Sequence, residues 1–359
     1  MKCTDNSRER SYYTEREWAR LQRKEAEEKR YLRRLRLLLA ALAVLCGLLV
    51  FLVYYFVFRS HDYELFCVYD NTDRTYGFQS SLQAGSTDDP FAQGLCVSSG
   101  NEHTDQLALS AYSAGLFDLN REQVIYAKDI FARRSPASIT KIMTALLTIQ
   151  YGNLDEMVTV SPIVKDIENG SSVCGIQEGD VLSLRQLLYG MMIASGNDAA
   201  MAIAEHIGGT VDGFVAMMNE EARKLGATGT HFMNPHGLTD PEHYTTVYDI
   251  YLIFQEAIKS ELFQDIINRK NYYAEYVNGS GAPAAVTWDS TNQYFTNQTD
   301  SPENVSVFGG KTGTTDDAGA CLALMVKDSY GNPYLSIILH AESKEALYPE
   351  MNQLLSLIL

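Results

Sequence analysis

From residue 136 to about 270 the apolar residues recur at helical spacing, as in Ile139, Ile142, Met143, Leu146 and Leu147, or Leu184, Leu187, Leu188, Met191 and Met192. Before that block they alternate over short stretches, as residues of strands do. Residues 107–112, 115–118 and 124–127 read as strands before the helical block, and residues 321–326 and 335–340 as strands after it. The last two are joined by Asp328-Ser329-Tyr330-Gly331-Asn332-Pro333, a hairpin turn by composition. This pattern predicts an α/β (α+β) architecture: one antiparallel sheet assembled from both ends of the segment, with an all-helical domain inserted between them. Strands are expected to return only near Lys311. A cleft between the two parts is a favoured place for a site.

Residues 37–58 contain no charged side chain, and a helix of that length crosses a hydrocarbon layer of about 30 Å. Residues 1–36 carry 12 Lys and Arg against 7 Asp and Glu, with Arg30, Arg33, Arg34 and Arg36 beside the apolar run. The positive-inside rule then predicts a cytoplasmic N-terminus and an exported remainder. A cleaved secretory signal has a shorter apolar region ending in small residues, whereas this one ends Val53-Tyr54-Tyr55-Phe56-Val57-Phe58. The expected organisation is a charged cytoplasmic segment over 1–36, a single transmembrane anchor over 37–58, a polar extracytoplasmic linker over 59–105 and a folded domain over 106–359. Beyond residue 36 there are 17 Lys and Arg against 38 Asp and Glu, a formal charge near −21. Such a surface argues against nucleic acid or anionic lipid as partners.

Of the six cysteines, Cys67 and Cys96 flank a loop rich in Gly, Ser and Asp, and spacing leaves open whether they pair. Cys174 and Cys321 read as packed small residues. His231, His236 and His243 lack metal-ligand spacing and read as loop anchors, so neither a metal nor a cofactor is expected.

Three short strings carry the chemistry. Ser138-Ile139-Thr140-Lys141 is followed 57 residues later by Ser195-Gly196-Asn197 and a further 116 on by Lys311-Thr312-Gly313-Thr314. Ser138 opens the periodic stretch, at a first helical turn where unpaired N–H groups would favour a developing oxyanion. Lys141, three residues on, shares its face and is the expected base, because a serine hydroxyl is a poor nucleophile until a base takes its proton. It must then be neutral part of the time, and burial or a nearby Lys311 would lower its pKa. Ser195 is expected to pass a proton to the leaving nitrogen and Asn197 to hold a substrate carbonyl. Lys311 would supply positive charge, Thr312 and Thr314 hydroxyls would bind a carboxylate, and Gly313 would leave room for a peptide on an open sheet edge. The N–H groups of Ser138 and Thr314 would form an oxyanion hole. Ser290-Thr291-Asn292 also fits Ser-x-Asn, but it lies in a polar, turn-rich stretch close to Lys311 and is set aside as a match to the second string.

The ordered trio resembles the low-molecular-mass penicillin-binding proteins, specifically the serine D-alanyl-D-alanine carboxypeptidases, over roughly residues 107–355. Further support comes from Pro136-Ala137 before the first string, Asp198-Ala199 after the second, and Phe232-Met233-Asn234-Pro235-His236-Gly237-Leu238 followed by His243-Tyr244-Thr245-Thr246. The resemblance implies a β-lactamase/DD-peptidase-like fold and acylation of Ser138 by the terminal D-Ala-D-Ala of a peptidoglycan stem peptide. D-alanine release and hydrolysis would follow, penicillins would acylate the same serine, and the catalytic domain would face the wall from a bacterial cell membrane.

In the resembled family an Arg usually stands where this chain has Leu347, and it helps hold the substrate carboxylate. Larger members carry a C-terminal β-rich domain and membrane-binding helix, whereas anchoring here is assigned to residues 37–58. A β-lactamase would need a deacylating water held by a Glu-x-x-Leu-Asn segment between the second and third strings, and none is present. Transfer to an amine in place of hydrolysis, and a non-catalytic wall-binding protein, stay open.

Overall fold

The computed structural model describes residues 29, 30, 33, 94–104, 107–168 and 170–358. The chain divides into two units, Met1–Gly85 and Ser86–Leu359. Of the first, Lys29, Arg30 and Arg33 are helical. The apolar run 37–58 and Cys67 lie outside the described residues. Among those described, no helix is long and apolar enough to cross a membrane.

The second unit begins with strands β1 (Ser113–Asp118) and β2 (Gln123–Lys128), a short 3-10 turn (Ala137–Thr140) and helix α1 (Lys141–Tyr151). Strands β3 (Met157–Thr159) and β4 (Val181–Ser183) lead into α2 (Leu184–Ile193), α3 (Asn197–Gly208), α4 (Val211–Lys224), α5 (Val247–Ala257) and α6 (Glu261–Ile267). Then come β5 (Asn271–Val277), β6 (Pro283–Asp289), β7 (Val305–Thr315), β8 (Gly319–Asp328), β9 (Pro333–Ala341) and α7 (Lys344–Leu355).

The main sheet has the order β2-β1-β9-β8-β7 and is antiparallel throughout, so it joins both ends of the segment as the periodicity predicts. Its two-residue alternation divides the core. Cys321, Ala323, Met325, Leu335, Ile337 and Leu339 face the helices, while Leu322, Leu324, Val326 and Ile338 face a second apolar layer under α7. At the β8–β9 turn, Asp328 Oδ1 accepts the Tyr330 and Asn332 N–H groups at 2.9 and 2.8 Å, and Gly331 supplies φ +87°. Local capping fits the helix starts: Ser183 and Gln186 form a reciprocal capping box for α2, and Thr210, Thr246, Ser260 and Ser343 each accept an N–H from their own first turn.

Two expectations are corrected. The inserted domain is not all-helical: β3-β4-β5-β6 form a second antiparallel sheet, so strands return at Met157, Val181 and Asn271 rather than only near Lys311. Its strands hide from a periodicity reading for two reasons. Two of them are three residues long, and β5 places aromatics on both faces, with Tyr272 stacked at 4.2 Å on Tyr189 of α2 while Tyr273 is exposed. Residues 107–112 are also not a strand. Backbone groups at Ser110 and Ala111 donate to the Glu350 carboxylate at 3.0 and 2.9 Å, and Leu109 and Ala111 carbonyls accept from Lys128 Nζ at 2.7 Å.

The segment 94–102, within the stretch read as linker, packs onto α5 and β2. Tyr251 and Tyr248 hydroxyls bracket Cys96, accepting from its N–H at 2.8 Å and donating to its carbonyl at 2.9 Å, and Glu102 bridges to Ala127. Cys96, Cys174 and Cys321 are buried free thiols.

Candidate active site

The three strings arrive from different elements. Ser138 sits in the 3-10 turn ahead of α1, Lys141 opens α1, Ser195 lies in the link between α2 and α3, Asn197 starts α3, and Lys311 to Thr314 run along β7, the open edge of the main sheet. They form two serine–lysine pairs. Lys141 Nζ donates to Ser138 Oγ at 2.8 Å, and Lys311 Nζ donates to Ser195 Oγ at 2.9 Å.

Lys141 is completely buried and its remaining donors are fully used, by Asn197 Oδ1 at 2.7 Å and the His236 carbonyl at 2.8 Å. Burial holds its pKa well below the ordinary lysine value, the Lys311 charge lowers it further, and Asp198 opposes the shift. Lys311, 1 % exposed, also donates to the Thr312 carbonyl at 2.9 Å, and burial lowers it to about 7. A lysine that can shed its proton beside a hydroxyl has the geometry of a general base.

The turn carrying Ser138 is held from below by the segment 234–243. Gly237, at φ +91°, passes so close that a Cβ would lie 1.8 Å from the Ala137 carbonyl. Asn234 ties its own loop, accepting the Gly237 N–H at 2.7 Å and donating to the Leu238 carbonyl at 3.0 Å, and the Pro235 carbonyl accepts from Thr144 at 2.6 Å. His243 Nδ1 accepts the Met233 N–H at 3.0 Å, so Nε2 carries the proton and donates to Thr140 Oγ1 at 2.8 Å. Thr140 in turn donates to the Ala137 carbonyl at 2.8 Å. Burial lowers His243 to about 4 and His236 to about 3, the latter helped by Lys141, so both rings are neutral supports at neutral pH. Both histidines thus anchor their loop, and the block from Phe232 to Leu238 marks the segment in the sequence without showing that the His236 carbonyl and Gly237 meet Lys141 and Ala137.

The second string is pinned by its neighbour Asp198. That buried carboxylate accepts the Cys174, Gly175 and Ile176 N–H groups at 2.8, 2.8 and 3.1 Å, while the Asn197 N–H reaches the Ser172 carbonyl at 2.9 Å. Ser195 is held at φ +59°, a left-handed conformation that costs a non-glycine residue about 1–3 kcal/mol.

On β7 the structure adds a reason for Gly313. A Cβ there would meet the Ser138 backbone N at 2.8 Å and Ile139 N at 3.1 Å, so the glycine admits the nucleophile turn. Thr312 and Thr314 alternate to the other side of the strand from Lys311 and Gly313. Thr312 Oγ1 lies 2.5 Å from Thr291 Oγ1, which brings one residue of the string set aside above to the edge of the cleft. Leu347 is 2 % exposed within the apolar layer under α7.

The family model for peptidase S11, D-alanyl-D-alanine carboxypeptidase, matches residues 99–343. This chain belongs to that family. It is 33 % identical over 242 residues to the D-alanyl-D-alanine carboxypeptidase DacF of Bacillus subtilis, covering 66 % of this chain and 59 % of that protein. To DacD of Salmonella typhimurium it is 31 % identical over 257 residues, covering 69 % and 62 %. The chain thus spans about three fifths of the length of these family relatives. Among solved structures it resembles the Streptomyces K15 DD-transpeptidase, with a TM-score of 0.65 at 29 % identity, covering 70 % of this chain and 97 % of that one. The family fold is therefore an α/β DD-peptidase fold.

Proposed function

We propose that the chain is a serine D-alanyl-D-alanine carboxypeptidase that removes the terminal D-Ala from peptidoglycan stem pentapeptides and is acylated by penicillins at Ser138. The observation that carries this reading is the buried, depressed-pKa Lys141 at 2.8 Å from Ser138 Oγ. In the proposed cycle Lys141 Nζ takes the hydroxyl proton as Ser138 Oγ attacks the carbonyl of the penultimate D-Ala. The Ser138 and Thr314 N–H groups receive the oxyanion. Ser195, backed by Lys311, passes a proton to the departing D-Ala nitrogen. Asn197, whose Oδ1 is engaged by Lys141, offers its amide N–H to a substrate carbonyl, and Lys311, Thr312 and Thr314 take the terminal carboxylate, with Gly313 admitting the Ser138 turn. Water then cleaves the acyl ester.

The apolar run 37–58 supports a single-pass anchor that keeps the catalytic unit outside the bacterial cell membrane, where the wall peptide lies. Similarity to a protein named as a DD-transpeptidase keeps transfer to an amine acceptor as the second reading. Intact mass after incubation of the full chain with a penicillin tests the acylation. A single adduct on the wild type that is absent from Ser138→Ala is expected, and an adduct on the variant, or none on the wild type, overturns the assignment. Product analysis of a diacyl-D-Ala-D-Ala peptide with and without an amine acceptor separates hydrolysis from transfer.

A further inference from the structure

The string Ser290-Thr291-Asn292 is no part of the three motifs, yet it ends up built into the rim of the cleft. It leaves β6 and is tied down along its length. The Ser290 N–H donates to the Lys270 carbonyl at 2.8 Å, the Asn292 N–H to Ser290 Oγ at 3.2 Å, and the Gln293 N–H to the Tyr348 hydroxyl at 3.0 Å. Asn292, 3 % exposed, accepts from the Tyr294 N–H at 3.2 Å, and the Tyr294 hydroxyl donates to Asn352 Oδ1 at 2.8 Å. Tyr348 and Asn352 both belong to α7, so the loop is fixed to the helix beneath the sheet as well as to the start of β5.

Within this fixed loop Thr291 is exposed, and its hydroxyl is 2.5 Å from that of Thr312. A hydroxyl has one proton and two acceptor lone pairs. One proton of the pair is therefore spent between the two oxygens, and the other is left to point outward. The first bond polarises the second, so the pair is a stronger donor than either hydroxyl alone. Its natural acceptor is an anion beside β7. Lys311 already spends donors on Ser195 Oγ and the Thr312 carbonyl.

We infer that Thr291 is a specificity-determining residue, forming with Thr312 a paired-hydroxyl donor that recognises the C-terminal carboxylate of the ligand. The inference rests on Ser138 acylation as proposed above. It is tested by the rate of Ser138 acylation, read as intact mass against time on the full chain, for a penicillin with a free carboxylate and for its methyl ester. In Thr291→Val the free-acid rate should fall about three- to tenfold, the range for the net worth of one ordinary hydrogen bond, while the ester rate stays within about twofold. Thr291→Ser should restore the free-acid rate. Equal loss with acid and ester, or no loss with either, overturns the role of Thr291 while leaving the acylation intact. Failure of the wild type to form any Ser138 adduct overturns both.

Discussion

The two walls of the cleft are built on opposite principles. On the nucleophile side the polar groups around the half-buried Ser138 are buried and paired: Lys141 has three acceptors, Asp198 takes three loop amides, and Thr140 and His243 lock the turn that holds Ser138. On the β7 side Lys311 is buried, but the hydroxyls of Thr312, Thr314 and Thr291 are half-buried or exposed, and the last comes from a loop outside the motifs. Burial lowers the lysine pKa and holds geometry, so the first wall can be preorganised for chemistry. The second wall is open to solvent, so any ligand it held would be held by hydrogen bonds that compete with water, each modest in net worth.

If the contrast holds, damage to the first wall costs far more than damage to the second. Lys141→Met should lower the acylation rate about 10²–10⁴-fold, the range for removal of a general base, measured with the same penicillin assay. The wild-type rate should show a pH dependence of stated sign. Lys141 works when neutral, so acylation falls as pH drops through its lowered pKa, and that limb should vanish in the Met variant. Lys311 attracts a carboxylate when charged, so preference for the free acid over the ester weakens as pH rises through about 7. A limb that survives in Lys141→Met would move the base elsewhere.

Gly237→Ala should be next in size. It sets a Cβ on the Ala137 carbonyl at a positive φ, and about 2–4 kcal/mol of stability should be lost by urea denaturation, together with acylation, because the Ser138 turn is displaced. Wild-type stability there would mean that the turn yields.

Asp198→Asn should cost less, about 1–2 kcal/mol, since an amide oxygen keeps part of the bonding to residues 174–176. It should also move the acid limb of acylation to lower pH, because the Asp198 charge props up the Lys141 pKa. Lower stability with an unmoved limb would reduce Asp198 to a loop anchor.

Much of the main sheet was legible because each face of β8 and β9 is buried against a different layer, which makes residues 321–326 and 335–339 nearly continuous apolar runs on either side of a polar turn. The hairpin turn was legible from Asp328 and Gly331 for the same local reason. The second sheet was not, since β3 and β4 are only three residues long and β5 exposes Tyr273 and Val277, which blurs its contrast between faces. Within the site, Ser138, Lys141, Ser195, Asn197 and Lys311 were all found by their strings and all converge. The packing of Gly313 against the Ser138 turn was not legible, because which atoms a missing Cβ would strike depends on a turn 175 residues away in the chain.

Chemical identity and local period are properties of a few neighbouring residues, so the amino-acid order alone carried the nucleophile, its base and the sheet drawn from both ends. The charge state of Lys141, the support from His236, Gly237 and Asp198, and the meeting of Thr291 with Thr312 belong to the folded chain. Each depends on burial or on distances between residues remote in sequence, and those exist only once the sheet and helices have packed.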